Sequence, residues 1–357
     1  MTYGEYPDFT GVSKILIIKF RHLGDVFLST PVFSILKKKY PNLSIDALVY
    51  EEAKGLLEDH FAIDQVHTRR QKGKKTNLLK RLYGEYLFLK KLKKNKYDLI
   101  LNLTEGDRGA LVCRYCKPKY RVGVEGKNKG YTHTIKQCST PRHQVELDLD
   151  ALRVMGIFPS LSERELHFSI PKSAYEKGKN LDDFFLFSPF AKWKFKCLSV
   201  LQMKKILDFL LERGQKIVIT GSKDPIELKM ARELTSGYSK DKVINLVGQL
   251  DIKELGAFME KAKGVICIDS FALHLSSCLK KKTLVFFGPT SEVKWGPWQN
   301  PNAIVITKNI SCRPCLIDGC GGSKYADCLA TLELTKAFYH LEKWLEKPGL
   351  LKSKALT

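Results

Sequence analysis

Long apolar runs are missing from this sequence. The purely apolar stretches, such as residues 15–18, are far shorter than the roughly 18 to 20 residues that a membrane-spanning helix needs. No basic segment followed by an apolar one is visible near residue 1. Proline (14) and glycine (25) are too few, beside 44% hydrophobic residues, for a disordered, collagenous or low-complexity protein. We therefore expect a globular protein in the cytoplasm.

Acidic residues are also scarce relative to basic ones. The 357 residues include 60 Lys and Arg against 38 Asp and Glu, which gives a formal net charge of +22. An excess of this size is large for an enzyme of small neutral metabolites and indicates a polyanionic partner. A nucleic acid, an anionic membrane face or a phosphorylated glycan would each satisfy it, and composition does not choose among them.

The chain is long enough for two domains, and its pattern divides accordingly. Short apolar runs, each followed by a helical stretch, indicate buried parallel strands in doubly wound α/β sheets. The runs lie at residues 15–18, 45–50, 63–66, 99–103, 185–187, 217–220, 265–268 and 284–287. We predict a Rossmann-like domain at 1–165, a linker at 166–182, a second Rossmann-like domain at 183–330, and a terminal segment at 331–357 whose helix packs back on the first domain.

Ten cysteines occur without a visible secretory signal, so we expect reduced thiols rather than a disulfide framework. Four of them are close in sequence: Cys312, Cys315, Cys320 and Cys328. A C-x2-C pair followed by two more thiols fits a tetrahedral zinc site, but the spacing is irregular and Pro314 lies inside the first pair. Structural zinc, a reduced loop and an occasional disulfide remain open as alternatives.

Residues 69–96 contain 12 Lys or Arg and one acidic residue, Glu85. The simplest interpretation is a solvated helix face. Apolar residues recur at three- and four-residue steps, at Leu78, Leu79, Leu82, Tyr86, Leu89 and Leu92, which is the pattern of a basic amphipathic helix. That pattern favours an anionic membrane over a nucleic-acid groove. The cations expected to contact the membrane or an acceptor are Arg69, Arg70, Lys74, Lys75, Lys80 and Arg81.

The turn after the first predicted strand contains Gly24 and Asp25. A single glycine argues against a nicotinamide dinucleotide at this turn. Asp25 would lie at the carboxyl end of the strand, where open α/β sheets bind ligands, so it is a candidate general base, although it could equally cap the following helix. Pro31 leaves two alternatives, a broken helix or a new helix that starts at Thr30 with Pro31 in its first turn.

The second half contains a comparable turn. Residues 265–274 have the pattern of a strand, a short acidic turn and a helix start. Backbone N–H groups at such a helix start can hold phosphate, although capping by Asp269 or Ser270 explains the same pattern. After the next strand, Gly288 would let the backbone approach a ligand closely.

Four blocks, taken in order, resemble glycosyltransferase family 9, the ADP-heptose:lipopolysaccharide heptosyltransferases. They are residues 19–31 (KFRHLGDVFLSTP), 195–197 (FKC), 269–274 (DSFALH) and 287–298 (FGPTSEVKWGPW). The resemblance extends from Lys14 to about Leu345. The cysteine-containing tail block is most similar to the heptosyltransferase III branch of that family.

The resemblance implies a GT-B fold, with two facing Rossmann-like domains and a cleft between them. It implies an inverting, metal-independent transfer of L-glycero-D-manno-heptose from ADP-heptose to the inner core of lipopolysaccharide, at the cytoplasmic face of the inner membrane. A phosphorylated acceptor and an anionic membrane would account for the net charge of +22. We therefore expect a peripheral membrane enzyme with no cofactor and no nucleic-acid partner.

By the same resemblance, Asp25 is the catalytic base that takes the proton of the acceptor hydroxyl. Lys196 matches the lysine that contacts the donor diphosphate, and Asp269 matches the acidic residue that orients the heptose. Glu227 is a looser match to a glutamate that holds the ribose. These assignments place the base in the first domain and the donor contacts in the second.

The phosphate-binding loop of the family matches Ser270, Phe271 and His274, and Gly288 completes the expected donor site. Phe271 departs from the family pattern, in which Gly is frequent at that position, and a bulky side chain there would narrow the loop. A Trp is usual near Leu198. Neither departure removes a charge that the mechanism needs.

Two other functions stay open. One is a GT-B transferase that uses another nucleotide sugar, and the other is a non-catalytic module that binds anionic surfaces. The joint presence of Asp25, Lys196 and Asp269 argues against the module, since a module does not need a base together with a diphosphate contact.

Overall fold

The computed structural model describes residue 6 and residues 11–70, 78–126 and 130–346. The chain forms two compact units, Met1–Ile170 and Pro171–Thr357. Their boundary lies inside the predicted linker 166–182, and both ends of that segment are bound to a unit. The backbone N–H of His167 donates to the Thr30 hydroxyl of the first unit at 3.2 Å, and Lys261 of the second unit donates to the Gly178 carbonyl at 2.8 Å.

The first unit contains a six-stranded parallel sheet. Its strands are β1 (Lys14–Lys19), β2 (Ser44–Tyr50), β3 (Gln65–Arg69), β4 (Leu99–Asn102), β5 (Tyr120–Val124) and β6 (His133–Ile135). They pair in the order β3-β2-β1-β4-β5-β6. β3 begins two residues later than the predicted run at 63–66, because Asp64 ends a turn and accepts the backbone N–H of Ile45 at 2.7 Å.

The helices of this unit are α1 (Leu23–Leu28), α2 (Thr30–Lys39), α3 (Lys54–Leu57), α4 (Leu78–Lys93), α5 (Asp107–Cys116) and α6 (Gln144–Arg153). Short 3-10 helices lie at Glu51–Ala53 and Leu161–Arg164. Pro31 occupies the first turn of α2, where its missing N–H costs no helical hydrogen bond. The alternative of a new helix at Thr30 is therefore confirmed.

The second unit repeats the architecture. Its strands are β7 (Phe184–Ser188), β8 (Lys216–Ile219), β9 (Val243–Asn245), β10 (Gly264–Ile268), β11 (Thr283–Phe287) and β12 (Ala303–Thr307), paired in the order β12-β11-β10-β7-β8-β9. Its helices are α7 (Val200–Leu211), α8 (Pro225–Thr235), α9 (Ile252–Lys261), α10 (Phe271–Cys278), α11 (Glu292–Trp295), α12 (Asp327–Ala330) and α13 (Thr335–Leu345). Its 3-10 helices are Lys172–Gly178, Lys194–Lys196 and Cys320–Gly322.

The position of α13 corrects the prediction that the terminal helix packs back on the first domain. Ala337 and Leu341 are buried in the same core cluster as Leu207 of α7, and the ring of Phe338 stacks on Phe209 with centroids 4.6 Å apart. The apolar face of α13 is therefore covered by the second unit. The rest of the predicted terminal segment, residues 347–357, lies outside the described residues.

The two sheets share one strand order, in which the first strand of each unit lies beside the fourth. β1 pairs with β4, and β7 pairs with β10. Connections leave these neighbouring strands in opposite directions, and this switch point at the carboxyl ends is where doubly wound sheets bind ligands. We therefore expect a binding site at the loops that follow β1, β4, β7 and β10.

Candidate functional site

An ion pair occupies the switch point of the second unit. Lys196 ends the 3-10 helix that follows β7, and Asp269 comes directly after β10. Lys196 Nζ lies 2.6 Å from Asp269 Oδ2, and the two side chains are 20% and 4% exposed. The pairing of β7 with β10 brings these residues together across 73 positions of sequence. A cation with a buried carboxylate partner therefore lies where this fold class places its ligand.

The start of α10 lies beside this pair. Ser270 is the N-cap residue in an extended conformation, but its side chain makes no capping hydrogen bond, and its buried Oγ finds no hydrogen-bond partner among the described residues. Asp269 bonds Lys196 instead of capping the helix. Phe271 is the first residue of α10, and His274 is buried one turn further on. The capping explanation of the motif is thus not what the structure shows.

Two hydroxyl residues that the sequence analysis did not assign lie at the same edge of the sheet. Thr220 follows β8 and Thr290 follows β11, and both are buried. Within the described part of the chain, neither Oγ1 has a hydrogen-bond partner. Buried polar atoms are rarely left unpaired, so these three hydroxyls at the ends of three strands are available to a ligand or to water. The feature of the sequence that could have identified these residues is a Thr or Ser shortly after an apolar strand.

Glu227 lies in the first turn of α8, next to the end of β8. It is buried, and its Oε2 accepts the backbone N–H of Ser222 at 2.7 Å. A Cβ on Gly221 would lie 2.8 Å from the same oxygen, so the chain passes close to this carboxylate. The structure therefore brings Glu227 to the sheet edge that carries Lys196 and Asp269.

Gly288 has a packing role that differs from the expected one. A Cβ at this position would lie 2.5 Å from Leu329 Cδ1, so the space is filled by protein rather than left for a ligand. Arg313 holds the same loop: its Nε donates to the Gly288 carbonyl at 2.6 Å, and its Nη2 lies 3.0 Å from Glu292. The segment that contains the clustered cysteines thus fixes the backbone after β11.

The cysteines show no ligand geometry. All ten are free thiols, and the described residues contain no group of three or more Cys, His, Asp or Glu side chains that could hold a metal ion. Cys320, Cys315 and Cys312 each add to the rise that burial causes in the pKa of Cys328, so the four thiols lie near one another, and the zinc and disulfide alternatives stay predictions. Cys328 packs with Phe195 and Ala326 in a small apolar cluster, and burial raises the pKa of its thiol. It supports the segment that carries Lys196.

In the first unit, Asp25 is the third residue of α1, at the carboxyl end of β1. The N-cap residue is His22, so Asp25 does not cap this helix. Its carboxylate is half-buried, and no described residue forms a hydrogen bond or ion pair with it. A carboxylate with free lone pairs at a switch point is suited to accept a proton.

A second charged pair in this unit was missed by the sequence analysis. Lys19, the last residue of β1, is buried and pairs with Asp148 of α6 at 2.6 Å. The available signal was a lysine that ends an otherwise apolar strand. Phe20 is also fixed, since its backbone N–H donates to the Thr104 hydroxyl at 2.7 Å.

The predicted basic surface is only partly described. Arg69 is paired with Glu85 at 2.5 Å and lies over the ring of Phe88, while Arg70 is paired with Glu51 at 2.7 Å. Lys74 and Lys75 lie outside the described residues, as do the side chains of Lys80 and Arg81. No helix within the described ranges is long and apolar enough to cross a membrane.

Two Rossmann-like units, with charged residues at their switch points, give the two-domain α/β architecture of the GT-B fold class. The family model for glycosyltransferase family 9 (heptosyltransferase) matches residues 86–326, and the chain belongs to this family. The predicted family and fold class are confirmed, and the protein is a glycosyltransferase of the heptosyltransferase type.

The relatives agree with this assignment. The chain is 28% identical over 293 residues to "Lipopolysaccharide heptosyltransferase 3" of Escherichia coli. The aligned region covers 78% of this chain and 85% of the relative. It is 25% identical to "Lipooligosaccharide heptosyltransferase 2" of Haemophilus ducreyi, with coverage of 82% and 88%.

Solved structures show the same fold. A family 9 glycosyl transferase from Veillonella parvula has a TM-score of 0.76 at 20% identity, with coverage of 93% of this chain and 97% of that one. The E. coli ADP-heptose lps heptosyltransferase II has a TM-score of 0.76 at 18% identity, with coverage of 93% and 98%.

Proposed function

We propose that this chain transfers L-glycero-D-manno-heptose from ADP-heptose to the inner core of lipopolysaccharide, with inversion at the anomeric carbon. The observation that carries the proposal is the Lys196–Asp269 pair at the switch point of the second unit, in a member of the heptosyltransferase family. The relatives named above are lipopolysaccharide and lipooligosaccharide heptosyltransferases, which supports this acceptor class.

The second unit binds the donor in this proposal. Lys196 contacts the diphosphate, and α10 begins beside it, so the positive end of the helix dipole also attracts the diphosphate. As the bond between the anomeric carbon and the diphosphate oxygen breaks, negative charge grows on ADP, and a cation placed at that oxygen lowers the barrier. Because protein groups supply this charge, we propose that the transfer needs no metal and no cofactor.

The first unit supplies the base. The Asp25 carboxylate takes the proton of the acceptor hydroxyl while the hydroxyl oxygen forms its bond to the anomeric carbon. ADP leaves with the electron pair of the broken bond, so a single displacement inverts the configuration. The free lone pairs of Asp25 and its position after β1 support this role.

A donor screen tests the proposal against its main alternative, a transferase for another nucleotide sugar. The protein would be incubated with a truncated lipopolysaccharide and with ADP-heptose, ADP-glucose, UDP-glucose or GDP-mannose in turn, and nucleotide release would be measured. We expect acceptor-dependent release with ADP-heptose alone. Release with another donor would favour the alternative, and release with none would favour a non-catalytic module.

We also propose that the enzyme is a peripheral protein of the cytoplasmic face of the inner membrane, held there by α4. Leu89 and Leu92 of this helix are buried in the core with Leu16 and Ile18 of β1. A different face remains in solvent and carries the exposed side chains Leu82, Tyr83, Tyr86 and Leu87. The predicted amphipathic helix therefore turns part of its apolar face outward.

The charges around this face suit an anionic bilayer. Five exposed lysines follow it, at Lys90, Lys91, Lys93, Lys94 and Lys96. Aromatic and aliphatic side chains flanked by lysine are typical of helices that lie in the membrane interface. Each lysine near an anionic surface contributes about 1 kcal/mol, so the exposed face and the lysines act together.

Vesicle binding tests this part of the proposal. Replacement of Leu82, Tyr83, Tyr86 and Leu87 by serine should reduce binding to vesicles of phosphatidylglycerol and phosphatidylethanolamine. Leu201→Ser, at an equally exposed leucine of the second unit, is the matched control and should bind normally. Binding should fall as salt rises. Unchanged binding of the four-site variant would exclude α4 as the membrane contact.

A further inference from the structure

A buried ion pair of the first unit lies at the end of β1, the strand that leads into the turn carrying Asp25. Lys19 is 2% exposed, and its Nζ donates to Asp148 Oδ1 at 2.6 Å and to the carbonyl of Leu103 at 3.2 Å. Leu103 follows β4, so one ammonium group connects the ends of β1 and β4 with α6. Burying an ion pair brings little net stability, so stability alone does not explain why this pair is present.

One oxygen of this pair has no partner. Asp148 Oδ1 also accepts the Gln144 amide at 3.1 Å, whereas the buried Oδ2 has no hydrogen-bond partner among the described residues. A buried carboxylate oxygen without a donor is costly. The ionised state of Asp148 is therefore held mainly by Lys19.

Asp25 is close enough to influence this pair. α1 and α2 both pack against α6. The charged groups that face Asp148 are Lys19 from β1 and Asp25 from α1, while the buried residues of α2, from Thr30 to Leu36, are uncharged. Burial raises the pKa of Asp148 to about 6 against the opposing effect of Lys19, and the negative charge of Asp25 adds to the rise. The ionisation of Asp148 is thus coupled to the charge of Asp25.

We propose that Lys19 and Asp148 are positioning residues of the transfer reaction, and that their ion pair holds the turn carrying Asp25 in its active position. The inference rests on the proposed role of Asp25 as the base. Neutral Asp148 no longer balances the buried ammonium of Lys19, so the attachment of β1 to α6 weakens and the base shifts. In this account the pair makes the reaction rate sensitive to mildly acidic pH.

Steady-state kinetics over a pH series tests the proposal. The wild-type kcat should fall as the pH decreases through about 6, because Asp148 then takes up a proton. Asp148→Asn should lower kcat about 10- to 100-fold at pH 7.5, the usual cost of a displaced catalytic group, and should abolish the decrease near pH 6. The KM for the donor should be unchanged, since the donor contacts lie in the second unit. Asp150→Asn, on the same helix and paired with Arg142 and Arg153, is the matched control and should keep the wild-type profile.

A low kcat with an unchanged acid profile in Asp148→Asn would show a purely structural residue and would overturn the proposal. Should that variant fail to fold, Lys19→Met combined with Asp148→Asn removes both buried charges, and the folded double variant should still lack the acid decrease.

Carboxyl NMR gives a second readout: the titration midpoint of Asp148 should lie near 6 and should fall in Asp25→Asn. An unchanged midpoint refutes the coupling. If Asp25→Asn retains full activity, the proposed base is wrong, whereas a normal profile in Asp148→Asn beside an inactive Asp25→Asn refutes only this inference.

Discussion

Replacing the two members of the Lys196–Asp269 pair should change ADP affinity in opposite directions. Asp269 holds the ammonium that we assign to the diphosphate. Lys196→Met removes a charge-assisted contact worth about 1.5 to 3 kcal/mol, so the Kd for ADP should rise about 10- to 100-fold. A merely structural ion pair would give no such asymmetry.

Asp269→Asn should instead tighten ADP binding. Two negative charges about 6 Å apart repel by roughly 3 kcal/mol at an effective dielectric constant of 20. Lys196 is partly exposed, so screening reduces the gain to about 1 kcal/mol, or about 5-fold in Kd. Turnover should nevertheless fall, because Asp269 is assigned to the orientation of the heptose.

Isothermal titration calorimetry with ADP measures both effects. Lys343→Met and Glu346→Gln break an exposed lysine–glutamate pair next to the end of α13 and serve as matched controls with unchanged Kd. In the Lys196→Met background, Asp269→Asn should still tighten ADP binding, since the direct repulsion remains. Equal weakening of ADP binding by both single variants would refute the assignment of Lys196 to the diphosphate.

Three further predictions follow from the site and the core. Asp25→Asn should lower kcat by about 10²- to 10⁴-fold with unchanged ADP affinity, and a normal kcat in a coupled nucleotide-release assay would exclude it as the base. EDTA should leave the rate unchanged, and a loss that magnesium restores would contradict the metal-free mechanism. In the core, burial raises the pKa of Asp46, but hydrogen bonds with His67 and Tyr97 and the charge of Lys14 outweigh burial and hold that pKa below its usual value of 3.8. The stability that ionised Asp46 contributes is present above about pH 4 and is lost as the pH falls. Asp46→Asn should therefore lower the free energy of unfolding in urea by about 1 to 3 kcal/mol at pH 7, and by progressively less towards pH 3. An equal loss at both pH values would contradict this prediction.

Much of the fold could be predicted because central strands of a parallel sheet are continuous apolar runs. β1, β7 and β10 are all of this kind. The strands outside the predicted runs lie at or near sheet edges: β6 and β9 have three residues each, and β5 mixes Tyr and Arg with its apolar positions. The wrong placement of α13 has another cause, since an amphipathic pattern shows that a helix needs a partner but not which surface provides it.

The candidate site was predictable in part, from turns that follow apolar strands and from the family resemblance. Asp25 and Asp269 were found from their positions and from the family resemblance, whereas Lys196 was found from the resemblance alone. The roles of all three stay predictions until they are tested. Contacts that arise from strand order could not be predicted, such as the 2.6 Å approach of Lys19 to Asp148 across 129 positions. Unpaired hydroxyls were missed for a related reason, because only the structure shows that Thr220 and Thr290 are buried without partners.

The most direct test of the account is the mass of the acceptor after reaction. Lipopolysaccharide truncated within its inner core would be incubated with ADP-heptose and the wild-type protein, and with Asp25→Asn as the inactive control, then analysed by mass spectrometry. The account predicts an increase of one heptose with the wild type and little or none with the variant at equal times. An unchanged acceptor with the wild-type protein, across a series of such truncations, would contradict the assignment of this chain as a lipopolysaccharide heptosyltransferase.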